Sequence, residues 1–219
     1  MTDRLADPER ELALSYAPAT NAGHLRTLWM VDERFGAIVA GTSDATIGEM
    51  RLLWWREALT EQDGDLRAEP LLERVAETIA ATGADGAEWG KMAEGWFALL
   101  QEPLEPADLR RFADERGGRL FALSAKLLAA DVPGFVVESG RAWALSDLAC
   151  RTSDPDIAVD ARAMARAIFA EADPKPWPRA LRPLGALAVL ARRDAAADGR
   201  RQGSPARVGR MVWHRLTGR

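Results

Sequence analysis

No stretch of these 219 residues sustains the apolar–polar alternation of a half-buried strand, and that absence constrains the fold more than any single motif. Alanine, leucine, arginine and glutamate dominate, all strong helix formers, while β-formers are thin and include a single tyrosine. Start and stop signals divide the chain into about eight to ten helices. The first is expected over 8–16, stopped by Pro18, and the second over 22–40 with Asn21 as its cap. After a turn at Gly41-Thr-Ser-Asp, Thr46 and Glu49 form a capping-box pattern ahead of an apolar face of Met50, Leu53 and Trp54. That third helix covers 46–62 and runs into the polar Glu61-Gln-Asp-Gly-Asp. Further helices are expected over 70–82, from 85 or 86 to 100, and over 107–130 behind Pro106. Gly117-Gly118 predicts a kink in the last of these, and Pro133-Gly134 ends it. Helices over 135–151 and 155–171 follow, the second with Asp154 as cap and Pro155 at its first position. Asp173-Pro-Lys-Pro-Trp-Pro reads as a rigid linker before helices at 179–198 and 205–216. No repeat of solenoid period is present. The expectation is one all-α domain over 1–219 with a basic helical segment at 203–219.

A chain of this length buries a core without staples. The lone Cys150 excludes a disulfide framework or a multi-cysteine metal cage, and two histidines, His24 and His214, leave little for a histidine-rich site. Cys150 reads as a small core residue and His24 as a surface or partly buried side chain. There is no signal-like leader, no run approaching the ~18 apolar residues of a membrane span, no phosphate loop and no nucleophile elbow. The expected location is the cytoplasm, at most peripheral to the inner membrane.

The net charge of −4 hides a split. From Arg179 to Arg219, ten arginines face two acids, Asp194 and Asp198, a surplus of eight positive charges that leaves −12 on the first 178 residues. Arg207, Arg210, His214 and Arg215 recur on the last helix, with Val208, Met211, Val212 and Leu216 at helical spacing and Trp213 beside them. Arg207, Arg210, Trp213, His214 and Arg215 therefore mark a surface for anionic lipid or for a protein partner. Packing of the same helix onto the acidic body fits the pattern equally. Nucleic acid is disfavoured, since only three of the 29 basic residues are lysine and arginine alone points weakly to it. Arg110-Arg111 and Arg116 with Arg119 read as solvated faces of the long helix.

Residues 48–59, Gly-Glu-Met-Arg-Leu-Leu-Trp-Trp-Arg-Glu-Ala-Leu, are the most individual stretch. Trp54 and Trp55 lie about 100° apart on a helix, so both can join a buried stripe with Leu52, Leu53 and Leu59. Glu49, Arg51, Arg56 and Glu57 flank it, and the pattern alone fits a core helix with salt-bridged edges. The chain also resembles the squalene/phytoene synthase family. The resemblance runs from Asp7-Pro-Glu-Arg and Ala17-Pro18 through Leu28-Trp29 to a peak at Gly48-Glu-x-Arg-x-x-Trp-Trp-Arg-x-Ala-Leu. It resumes at Gly140-Arg-Ala-Trp-Ala-Leu and loosely at Leu181-Arg-Pro-Leu, covering about residues 7–195. It implies an isoprenoid synthase-like helical bundle around a central apolar cavity.

Enzymes of that family join two prenyl diphosphates head to head, neutralising the leaving diphosphate with Mg²⁺ held by two facing aspartate-rich helices. Here an ungapped alignment places Gly36, Ala37 and Ala40 over the first motif, with Asp32 and Glu33 one turn earlier and Asp44 in the following turn. Around the second, Asp147 falls at an asparagine position, Arg151 replaces the key aspartate, and Asp154 reads as a cap. Asp156 and Asp160 are read as dipole-stabilising acids near a helix start. Asp32, Glu33, Glu49, Arg51, Trp54, Trp55, Arg141, Asp147 and Arg151 are thus the family-motif or cavity candidates. A further reading has Arg51, Arg141 and Arg151 holding an anionic head group without metal. The resemblance is to metal-motif-poor members, including the type that assembles respiratory complex I. It implies a non-catalytic protein with an assembly or isoprenoid/lipid-binding role, no cofactor, and a partner such as a respiratory-complex subunit. The alternative is an active, Mg²⁺-dependent prenyl diphosphate transferase.

Overall fold

A computed structural model describes residues 4–61, 69–172, 175–197 and 199–219. Among them there is no strand, and the all-α expectation holds. Helix α1 (Pro8–Leu14) starts on Asp7, whose carboxylate accepts from the backbone N–H of Glu9 and Arg10 at 2.8 and 3.2 Å. Helix α2 (Ala19–Ala40) begins directly behind Pro18, so Asn21 lies inside it and donates to Leu127 O at 2.7 Å rather than capping. Helix α3 (Ala45–Glu61) is capped by Asp44, which accepts from Thr46 and Ile47 N–H, and not by the Thr46–Glu49 box. Most of the polar stretch after Glu61 and the start of the linker, Asp173-Pro174, fall outside the described residues, as does Asp198. Helix α4 (Pro70–Thr82) closes on Gly83 in the left-handed region.

The single helix expected to end at 100 is two, α5 (Gly86–Gly90) and α6 (Ala93–Ala98). Gly90 lets α5 press on α3, because a Cβ there would stand 3.0 Å from Arg56 O. The expected kink at Gly117-Gly118 takes a definite form. Helix α7 (Pro106–Phe112) passes through a π-helical turn, Ala113–Gly118, into α8 (Arg119–Leu127). Helices α9 (Gly134–Arg151) and α10 (Pro155–Glu171) follow, the latter capped by Asp154 as the sequence suggests. After a 3₁₀ turn, Arg179–Leu181, come α11 (Arg182–Ala196) and α12 (Pro205–Thr217).

Helix α9 is the axis of the packing, touching α8, the π turn, α10 and α11. It approaches the π turn at two glycines: a Cβ on Gly117 would lie 2.3 Å from Gly140 O, and one on Gly140 would lie 2.3 Å from Gly117 O. Buried side chains from α1 to α12 form one apolar cluster. Inside it Trp29 is fully buried and donates to Ser124 Oγ at 3.0 Å. No described helix is long and apolar enough to cross a membrane.

Candidate functional site

A half-open cavity of about 700 Å³ lies among α2, α6, α7, the π turn and α9. One part of its wall is apolar, with Val39, Leu99, Leu104, Phe112, Leu148 and Ile157. The other carries charge: Asp7, Arg10, Asp32, Glu33, Arg116, Asp147 and Arg151. Gly36, Ala37 and Ala40 line it as well. Gly36 has a local reason to be small, since a Cβ would meet the Trp96 ring at 2.9 Å.

Arg116 is the centre of the charged part. The π turn and the bare backbones of Gly95 and Gly117 bring it inward; a Cβ on Gly95 would reach 2.7 Å from Arg116 N. Its guanidinium donates to both oxygens of Asp32 at 3.0 and 3.2 Å and to Asp147 at 3.1 Å. The rings of Trp96 and Trp143 flank it at 4.3 and 4.7 Å. Asp32 also accepts from Arg10 Nη1 at 3.0 Å and from Trp96 Nε1 at 3.2 Å. Four donors thus occupy the roughly four lone-pair sites of one carboxylate. Asp147 accepts from Arg116, from Arg151 at 2.8 Å and from Arg200 at 2.8 Å. Burial alone would raise both carboxyls, but Arg116 outweighs it, helped by Arg10 at Asp32 and by Arg151 and Arg200 at Asp147. Both are held below the usual carboxylate range. The same two aspartates push the Arg116 guanidinium up against the opposing effect of burial.

A second bridge lies at the chain ends. Arg207 of α12 donates to Glu9 at 2.6 and 2.8 Å and to Asp194 of α11 at 3.0 Å, with a further contact from its Nη1 to Asp194 Oδ1. Arg200 joins the two bridges, reaching Asp147 at 2.8 Å and Asp7 at 3.3 Å, with Asp194 at 3.8 Å. Gln202 donates to Asp7 at 2.7 Å. Two of the tail's ten arginines, Arg200 and Arg207, are thus spent inside, on carboxylates of the acidic body.

The sequence candidates divide accordingly. Asp32, Asp147 and Arg151 come together in the charged part of the cavity. Glu33 stands beside them, accepting from Ala6 and Asp7 N–H at 2.9 and 3.3 Å. Glu49 and Arg51 are exposed on α3 and do not line the cavity. Arg141 does not line it either; it pairs with Asp114 and Glu138, both at 2.7 Å. Of the two tryptophans only Trp55 is buried, under Phe35, while Trp54 is 50% exposed. The face Met50, Leu53, Trp54 points outward, because α3 presents Gly48, Leu52, Trp55 and Leu59 to its neighbours. In the tail, Trp213 and Arg215 are on the surface and Arg210 is half-buried. Arg207 and His214 are not surface residues: the first is drawn in by Glu9 and Asp194, and the second packs on Trp177 and Gly185. Arg116, read as solvated, is buried for the same reason as Arg207, since two carboxylates face it. Arg10, Glu9 and Arg200 were missed as site residues. The usable signal was Arg116 beside Gly117-Gly118, a cation set where the backbone permits close approach.

The residues do not fit a Mg²⁺ cluster. A metal at Asp32 or Asp147 would have to displace guanidinium groups from oxygens already holding two or more donors between them. Among the described residues no group of three or more His, Cys, Asp or Glu side chains is placed to hold a metal. Asp156 and Asp160 are exposed at the start of α10. The chain matches no protein-family model, no curated protein and no solved structure.

Proposed function

We propose that this chain is a non-catalytic protein of the squalene/phytoene synthase type, with an isoprenoid synthase-like bundle whose cavity receives an isoprenoid or another lipid. Its role is lipid binding or assembly, and by the same resemblance its protein partner is a subunit such as those of respiratory complexes. The observation that carries this reading is the Arg116 bridge. Where the enzymes need two free carboxylate faces for Mg²⁺, Asp32 and Asp147 are joined by one buried cation. Extracting that cation would leave it unpaired in a low-dielectric site, at a cost of several kcal/mol. The apolar wall supports a greasy ligand, and about 700 Å³ lies within the roughly 300–1,000 Å³ usual for ligand pockets.

One observation favours the alternative of an active transferase: Asp32 and Asp147 stand on different helices, α2 and α9, at the same cavity. Incubation with farnesyl or geranylgeranyl diphosphate and Mg²⁺, followed by pyrophosphate release, separates the two. The proposed outcome is no release above the protein-free rate. Sustained turnover overturns the non-catalytic reading.

A further inference from the structure

We propose that the outward face of α12 docks on an anionic lipid surface. This helix is built inside out relative to an ordinary surface helix. Its inward positions are Arg207, Met211 and His214, all buried. Its outward positions include Val212, Trp213 and Leu216, exposed by 43, 56 and 69%. They lie within about 100° of one another around the helix, so they form one patch.

The patch cannot turn inward, because α12 is fastened at both ends. Arg207 is clamped between Glu9 and Asp194 near its start. Near its end Arg182 donates to Arg215 O at 2.5 Å, and Trp177 N–H donates to Gly218 O at 2.8 Å. The apolar side chains are thus held in water by a rigid mount rather than by a fraying terminus.

Charge selects the occupant. Arg215 and Arg219 are exposed beside the patch, and no acidic residue occurs from 199 to 219. A tryptophan and two aliphatic side chains on a helix whose charged residues are all cations match the boundary of an anionic bilayer: arginine meets phosphate while the apolar groups enter the acyl region. Nucleic acid would leave Val212 and Leu216 without an apolar partner. The α3 patch of Ile47, Met50, Leu53 and Trp54 is apolar too, but Asp44, Glu49, Arg51 and Glu57 give its surroundings both signs. Charge therefore singles out α12. The acidic remainder of the protein, repelled by the same surface, would set the orientation.

The proposal is independent of the cavity reading, and neither charged bridge enters its test. Full-length protein is floated with vesicles of phosphatidylcholine alone or of phosphatidylcholine mixed with phosphatidylglycerol, at low salt. Wild type should float with the mixed vesicles and stay behind with the neutral ones. V212S/W213S/L216S should weaken flotation by about tenfold or more. R215Q/R219Q should weaken it by about fivefold per arginine. All five side chains are exposed, with Arg215 over the Tyr16 ring at 5.0 Å, so circular dichroism should match wild type and melting should fall at most slightly, separating loss of docking from loss of fold. The proposal is overturned if wild type ignores anionic vesicles, binds neutral ones equally, or floats no better than the folded triple variant.

Discussion

Two arginine bridges hold this molecule, and they differ in what surrounds them. Arg116 joins Asp32 of α2 to Asp147 of α9 and lies between the rings of Trp96 and Trp143. Arg207 joins Glu9 of α1 to Asp194 of α11 and lies at the chain ends, with Arg200 reaching across to the first bridge. In both, an arginine faces two carboxylates; burial alone would raise the Asp32, Asp147 and Glu9 carboxyls, yet all three are held below their ordinary range. The inner bridge sits on the cavity wall and occupies the carboxylates there. The outer one fastens a helix and leaves the cavity alone. The difference teaches that a buried ion pair can be a chemical statement in one place and a mechanical one in another.

The largest effect should come from breaking the inner bridge. Arg116→Met leaves two carboxylates in a dry, aromatic setting and should cost about 3–5 kcal/mol in chemical denaturation. The triple variant D32N/R116M/D147N removes these three charges but leaves Arg10 without Asp32, and Arg151 and Arg200 without Asp147, so it should recover only part of that loss. No recovery at all would mean that the bridge stabilises in its own right. Arg207→Met should cost less, about 2–3 kcal/mol, and hydrogen exchange should quicken first in α12. Uniform exchange across the chain would erase the mechanical distinction.

Acid should loosen the seat of α12 before it reaches either bridge. His214 lies on the inward face of the same helix that Arg207 fastens, and burial pushes its imidazole down to about 4, with Arg210 and Arg182 adding to the effect. Its folded value lies below the unfolded one of about 6.5, so the unfolded chain takes the proton more readily. Stability is therefore fully present above pH 6.5 and falls as pH drops toward 4, by about 3 kcal/mol in all. The depressed carboxyls of Glu9, Asp32 and Asp147 act in a separate window, losing their contribution only as pH falls below about 4. Chemical denaturation from pH 7 to 4 should show the first slope, and His214→Gln should flatten it. A slope that survives the substitution would assign it to another group.

Most helix positions were legible in the sequence, because prolines, caps and glycines act over a few residues. Asp154 and Pro155 start α10 as read, and Gly117-Gly118 marks a real irregularity. What was not legible depends on partners far along the chain. Arg116 meets Asp32 across 84 residues, and Arg207 meets Glu9 across 198. Periodicity says that a helix has faces without saying which one a neighbour covers. That is why Trp54, beside buried Trp55, is half in solvent and why α3 turns Met50 outward. The split between acidic body and basic tail was visible, but its resolution into internal bridges needed the packing of α1, α11 and α12. At the cavity, Asp32, Asp147 and Arg151 are cavity candidates by sequence and do line the wall, whereas nothing in the pattern around Arg116 reveals the two carboxylates that bury it.

The smallest effect should come from Arg151, although it lies on the cavity wall beside Asp147. It donates to Asp147 at 2.8 Å and to Asp7 at 3.2 Å, yet its side chain is 55% exposed. Water screens those contacts, so Arg151→Ala should cost about 1 kcal/mol or less. Asp147 would keep Arg116 and Arg200 as partners and remain ionised and occupied. For the same reason Arg151→Asp, which adds a further carboxylate beside Asp147, should not create a Mg²⁺ site measurable by calorimetry. Two guanidinium groups would still hold Asp147, and Arg10 and Arg116 would still hold Asp32. Mg²⁺ binding by that single variant would mean that the inner bridge yields easily to a metal, and would collapse the contrast between the two bridges.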